Sequence, residues 1–286
     1  MLRPILIALF PVLTIGPHVI PLPDRPVENG DKHPDIDVKD KGKKLPDNAR
    51  MEALAKEDPV VFLENCLLRY NREVKGYSLT MQKQERLQGK LKPREVIDVH
   101  YKHGPAENGH SVFMRWRQGA RLAARVVYVD GENKDPLDGR SKMLVKPTGL
   151  ASLFTVERDP EGEDARKSGR YTLIEFGLKM GVQRTLGYFE AAQKEGALHV
   201  EYLGRKKIRE VGDRECFVLK RTRYKKPEGD GITEQTLYVD TENWLLVGTI
   251  LRGAEGELIG EYFFRDIRLN PSFDKDQFTD KAVERK

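Results

Sequence analysis

From position 59 to position 74 the apolar residues return every three or four places. Phe62, Leu63, Cys66, Leu67, Tyr70 and Val74 share one face, while Glu64, Asn65, Arg69 and Arg72 fall mostly opposite. That spacing predicts an amphipathic helix of about four turns over 59–72, which must cover something apolar. Asp58-Pro59 opens it, with Asp as the N-cap and Pro at the first helical position, where a missing N–H costs nothing. A shorter helix, 49–57, precedes it behind Asp47 or Asn48. After Gly76 the period drops to two. Tyr77, Leu79 and Met81 alternate with polar neighbours, and Ile97, Val99 and Tyr101, then Val112, Met114 and Trp116, do the same. Residues 126–130 and 143–145 read as further short strands. Gly- and Pro-rich turns separate them, so the links are short and neighbours are expected to run antiparallel.

A charged loop at 159–169 leads back to helical spacing over 171–192, where Ile174, Leu178, Val182, Leu186 and Phe189 align. A second series of strands follows at 198–203, 216–222, 233–240, 244–251 and 258–269, and Asn270-Pro271 stops it. The fold class is therefore mostly β (α+β). One antiparallel sheet of about ten or eleven twisted strands will curl. The expectation is a half-barrel made from that single curved sheet, with the helices 59–72 and 171–192 packed on its concave side. A flat sandwich is the second choice. The domain spans 49–280, and 281–286 reads as a frayed tail.

What precedes the domain is different in kind. Arg3 and the run 5–15, apolar except for Thr14 and interrupted only by Pro11, have the charge and length of a signal-peptide core, too short to span a bilayer. Residues 1–20 read as a signal peptide or a short uncleaved anchor. Residues 21–48 hold five prolines, six Lys/Arg and seven Asp/Glu with no apolar period. Such a stretch buries too little surface to offset its ordering entropy and reads as a disordered linker. Together these segments predict an exported protein of the periplasm or cell envelope.

Composition then narrows the chemistry. The 286 residues carry 50 Lys and Arg against 45 Asp and Glu, a net charge of only +5 with the signs interleaved. A nucleic-acid binder concentrates its positive charge on one face, so nucleic acid is not expected as a partner. The basic runs 205–209 and 220–226 read as solvated strand ends. Cys66 and Cys216 have no metal-ligand spacing. They are either two buried thiols or one bridge. Dinucleotide, P-loop, zincin, nucleophile-elbow and EF-hand patterns are missing. Ser272-Phe273-Asp274-Lys275 matches a Ser-x-x-Lys pattern but lacks its companion motifs. His100, His103 and His110 read as a solvated hairpin tip, because a strand puts His100 and His103 on opposite faces. Asp130, Glu132, Asp135 and Asp138 read as ordinary turn chemistry. Glu85 is in phase with Met81 and Lys83, which points it inward as an ion pair with Lys83 or as a contact for a headgroup. No enzyme, cofactor or metal is expected.

The run Gly76-Tyr77-Ser78-Leu79-Thr80-Met81-Gln82-Lys83-Gln84-Glu85-Arg86-Leu87-Gln88-Gly89-Lys90-Leu91 resembles the first strand pair of the domain-of-unknown-function family 1571. Ser111 to Trp116, Ile174 to Leu178, Tyr262 to Pro271 and Phe278 continue the likeness over about 50–280. That family is similar in turn to the outer-membrane lipoprotein carriers and receptors of the LolA/LolB type, whose incomplete antiparallel barrel surrounds an apolar cavity lidded by helices. The resemblance implies an exported protein of that fold, without catalytic residues. The expected function is a non-enzymatic binding module for an apolar ligand, a lipid or a lipoprotein acyl chain, with contact to a membrane surface. The cavity candidates are Tyr77, Leu79, Met81, Ile97, Val99, Tyr101, Val112, Met114 and Trp116. The alternative is a structural or protein-interaction module of the envelope with a filled core. Export is testable: a reporter fused after residue 50 should reach the envelope, and its retention in the cytoplasm with 1–20 intact would contradict this reading.

Overall fold

The computed structural model describes residues 38–105, 109–229 and 231–285. The signal segment 1–20 and linker residues 21–37 lie outside them. Two helices open the domain, α1 (Asn48–Glu57) and α2 (Pro59–Glu73). Each has the cap its sequence announces: Asp47 accepts the Arg50 N–H at 2.8 Å and Asp58 accepts that of Val61 at 3.1 Å. The strands are β1 (Gly76–Leu87), β2 (Lys90–Leu91), β3 (Glu95–His103), β4 (His110–Gln118), β5 (Ala123–Val129), β6 (Met143–Pro147) and β7 (Val156–Arg158). Then come α3 (Glu163–Ser168), α4 (Leu178–Lys194), β8 (His199–Ile208), β9 (Arg214–Thr222), β10 (Glu234–Asp240), β11 (Leu246–Arg252), β12 (Leu258–Leu269) and α5 (Asp280–Glu284).

All the strands belong to one open antiparallel sheet, in the order β7-β6-β5-β4-β3-β1-β12-β11-β10-β9-β8, with β2 attached to the end of β1. It is two meanders. The first runs outward from β1 to β7. The chain then crosses the sheet through α3 and α4, and the second meander returns from β8 to β12, which pairs with β1. The outer strands β7 and β8 do not meet, so the half-barrel stays open.

The helices cover this sheet unevenly. Phe62, Leu63, Cys66 and Leu67 of α2 and Val182, Leu186 and Phe189 of α4 form one core with Phe217, Leu219, Leu237, Val239 and Leu246. There the Phe62 and Phe217 rings meet edge to face at 5.7 Å. Over β1 and β3–β6 the inner face is roofed mainly by α3 and the 169–177 stretch. The expected helix over 171–192 accordingly begins seven residues later, at Leu178. Gly177 explains the delay: its φ of 140° takes the chain off the helical path, and a Cβ there would sit 3.4 Å from the Tyr101 ring.

Both ends of the domain are docked. Val38 and Leu45 pack against the α1–α2 core, and Arg72 grips Asp40 with two bonds of 2.6 Å. Residues 38–47 of the expected linker thus have fixed partners. Residues 281–286, read above as a frayed tail, include most of α5, whose Ala282 and Val283 bury against Phe113 and Val127 on the opposite face of the first meander.

Cys66 and Cys216 are both buried free thiols. Phe217 faces α2, so its neighbour Cys216 points to the other face of the sheet, away from Cys66. Burial raises both thiol pKa values, that of Cys216 to about 12. Thiol titration should find neither reactive in the folded protein at neutral pH and both reactive in denaturant. A count near zero in denaturant would contradict this arrangement.

Candidate functional site

The inner face of the first meander is built in rows across the strands. The first row is Tyr128, Val112, Tyr101 and Tyr77, and the second is Val145, Val126, Met114, Val99 and Leu79. The third is Trp116, Ile97, Met81 and Phe264, and the fourth is Glu95, Lys83 and Tyr262. Aromatic rings thus give way to aliphatic chains, then to Met and Trp, then to charge.

The first row is filled. Tyr77 and Tyr101 stack at 4.8 Å with planes 4° apart, and His110 lies on the far side of Tyr101 at 5.3 Å. The Tyr77 hydroxyl accepts the Leu178 N–H at 3.2 Å, satisfying a free donor at the start of α4. Rows two to four border a cavity of about 450 Å³. Its walls include Met81, Ile97, Met114, Trp116, Val126, Met143, Val145, Leu246 and Phe264, and Ala165, Leu173 and Phe176 roof it.

Of the nine candidates, Met81, Ile97, Met114 and Trp116 line this cavity. Tyr77, Leu79, Val99, Tyr101 and Val112 do not: they are core residues of the same face, covered where Gly177 and Leu178 drop onto the tyrosine pair. Alternation gives the face of a side chain but not the depth at which a loop covers it. The wall residues on β5, β6, α3 and α4 were not singled out from sequence. Their strands are short, and α3 lies inside what reads as a polar loop.

The fourth row carries a buried ionic cluster. Lys83 Nζ sits 3.0 Å from Glu85 and 3.4 Å from Glu95. Arg121 donates to Glu95 at 3.1 Å and Trp116 Nε1 does so at 3.2 Å. The Tyr262 hydroxyl donates to Glu85 at 2.7 Å. Opposite Glu85 stands Gly260, where a side chain would crowd the Tyr262 ring and Arg170. Burial alone would lower the pKa of the Lys83 ammonium, but Glu85 and Glu95 hold it above its usual value. Burial, with the Glu85 charge beside it, raises the Tyr262 phenol well above its ordinary pKa. Two carboxylates and two cations make the cluster neutral. Arg121 also donates to the Ser168 carbonyl at 2.9 Å, which ties the roof to the sheet.

The histidines are not a solvated tip. His110 is buried, with Nε2 3.1 Å from the Leu173 carbonyl, and His103 Nε2 meets the Tyr70 hydroxyl at 3.1 Å. The stacking of His110 on Tyr101 from the neighbouring strand, with His103 edge-on to the same ring, overrides the polarity that sequence alone suggests. The acidic turn behaves as expected, with Asp135 held by Lys142 and Asp138 by Arg140. Among the described residues no group of three or more His, Cys, Asp or Glu could hold a metal ion.

Residues 74–284 match the protein family of unknown function DUF1571. The chain belongs to that family. Comparison with curated proteins gives no match. Among solved structures the chain is similar to a DUF1329 family protein from Desulfovibrio piger, at 12% identity over 79% of this chain and 99% of that one, with a TM-score of 0.39. It is similar to MucB in the Pseudomonas aeruginosa MucA/MucB complex, at 16% identity over 79% of this chain and 62% of that one, TM-score 0.45. It is also similar to a LolA superfamily protein from Nitrosomonas europaea, at 9% identity over 77% and 99%, TM-score 0.28.

The histidine cluster gives this DUF1571 protein an acid sensitivity. Burial first, then the charge of Lys179 and the neighbouring His110, lower the His103 pKa to about 4, from an ordinary value of 6.5. The unfolded chain therefore takes up a proton that the folded one refuses. The part of the stability linked to His103 is complete above pH 6.5 and is lost as the pH drops toward 4. Thermal melts across that window should show a shallower loss for His103→Gln, which can still bond Tyr70, than for the parent. Equal slopes would contradict the assignment.

Proposed function

We propose that this DUF1571 protein is an exported, non-enzymatic binding module that takes an apolar ligand, such as a lipid or a lipoprotein acyl chain, into the half-barrel cavity. The observation that carries the reading is the unfilled space itself. A cavity of about 450 Å³ in a sheet whose other half is closely packed has the size and apolar walls of a small-molecule site. A packed structural module would have no reason to leave it empty of side chains. Burial is worth about 0.8 kcal/mol per CH₂. A chain of about fourteen carbons then gains roughly 10 kcal/mol before ordering costs of several kcal/mol, enough for about micromolar affinity.

A second reading, a protein-interaction module, has its own support. Leu150, Leu153 and Phe154 stand largely exposed between β6 and β7, with Leu122 exposed and lining the cavity nearby.

Ala165 of α3 tests the first reading, because a large side chain there would fill the space. Ala165→Trp should weaken uptake of the neutral probe N-phenylnaphthylamine at least about tenfold, about 1.4 kcal/mol. Its melting temperature should stay within about 2–4 °C of the parent, the shift expected for about 1 kcal/mol. Undiminished probe binding in a folded Ala165→Trp protein would remove the cavity from the function and leave the exposed leucines as the site to pursue.

A further inference from the structure

Cations in the cavity wall come with their counter-ions, with one exception. Lys83 meets Glu85 and Glu95, Arg121 meets Glu95, and Arg158 reaches Asp164. Arg184 of α4 lines the same cavity, yet among the described residues it has no carboxylate within ion-pair distance. Its guanidinium lies 3.8 Å from the centre of the Tyr171 ring, and Nη2 donates to the Glu175 carbonyl at 3.0 Å. Nε is shielded from water and, among the described residues, donates to nothing. The nearby Glu175 carboxylate is turned to Thr172, accepting its N–H at 2.9 Å and its hydroxyl at 3.0 Å.

This is a costly way to hold a charge. A guanidinium in a part-buried, largely apolar setting is stabilised by an anion and by acceptors for its donors, and Arg184 lacks the one and part of the other. Elsewhere in the wall Glu228 meets Arg221, and Glu175 is the one wall carboxylate without a cation among the described residues, held by Thr172 rather than by Arg184. An acid group brought by a ligand would supply both the charge and the acceptor, and the planar donor fork suits a carboxylate or a phosphate equally. Tyr171, stacked beneath, holds the fork in place before the ligand arrives.

The geometry points to an anionic single-chain amphiphile as the ligand, with its acid group at Arg184 and its chain over the apolar wall of Met81, Ile97, Met114 and Trp116. The assignment rests on the cavity being a binding site and adds the sign of the ligand's charge and the place of its headgroup.

Dodecanoate, dodecyl phosphate, dodecanol and dodecyltrimethylammonium differ only in the headgroup. Each is titrated calorimetrically into the full chain at neutral pH, below its micelle concentration. At least one of the two acids should bind about tenfold or more tighter than the alcohol, with the ammonium weakest. A preference between carboxylate and phosphate supports the proposal and names the source of the acid. In Arg184→Met the gap between acid and alcohol should close, and Arg184→Lys should keep most of it. Equal affinity for acid and alcohol in the parent would overturn the anionic assignment while leaving the cavity a binding site. An equal loss for every ligand in Arg184→Met would overturn it too, showing that Arg184 only supports the 171–177 segment. Failure of all four to bind would overturn both this assignment and the reading beneath it.

Discussion

The antiparallel pairing of β1 with β12 is the constraint on which the rest of the structure depends. It joins the first strand of the domain to the last, so two local meanders become one sheet. Pairing strands so distant in sequence carries a loop-closure cost that hairpins avoid. It is sustained by a register that puts Met81 against Phe264, Lys83 against Tyr262 and Glu85 against Gly260. Those three pairs are where the apolar wall passes into the charged rim. A slip of one residue would turn Met81 and Lys83 to the opposite face and leave the cavity without its floor and its ionic edge.

From that seam follows the asymmetry that makes a site. The second meander is covered by α1, α2 and α4, whose side chains interdigitate with it to form a core. The inner face of the first meander is met mainly by a six-residue helix, α3, and an irregular segment, with α2 and α4 reaching it at Tyr70 and Leu178, and the other face is met by α5. A helix brings a continuous apolar stripe to a sheet, whereas a loop brings a few side chains and a polar backbone. The space that the loop does not fill is the cavity. Its ionic cluster is compatible with burial because each carboxylate has a cation or a hydroxyl donor, and its removal piecemeal would strand charge in an apolar wall.

Much of this was legible in the chain. Periods of 3.6 and 2 locate α2 and the long strands, Asp58-Pro59 marks a helix start, and strand phase puts Glu85 inward beside Lys83. The nine candidate residues do share one face, but of them Met81, Ile97, Met114 and Trp116 open onto the cavity. What distinguishes Met81 from Tyr77 is the descent of residues 177–178 onto the tyrosine pair, a tertiary event with no periodic signal. Arg184 was equally hidden. In sequence it is one more polar residue on an amphipathic helix, and its position over Tyr171, with no carboxylate within ion-pair distance among the described residues, sets it apart. The histidines were misleading for the opposite reason: a hairpin rich in polar residues looked solvated, yet Tyr101 stacks His110 into the interior.

The central question is whether the space inside the first meander holds a ligand. Native mass spectrometry of the full-length protein, purified without detergent, asks this directly. The expected result is a bound species whose mass is released on denaturation and whose fragments identify an acyl chain, with the bare chain mass restored by extraction with organic solvent. A protein that carries no adduct and takes up no acyl ligand after reconstitution would contradict it.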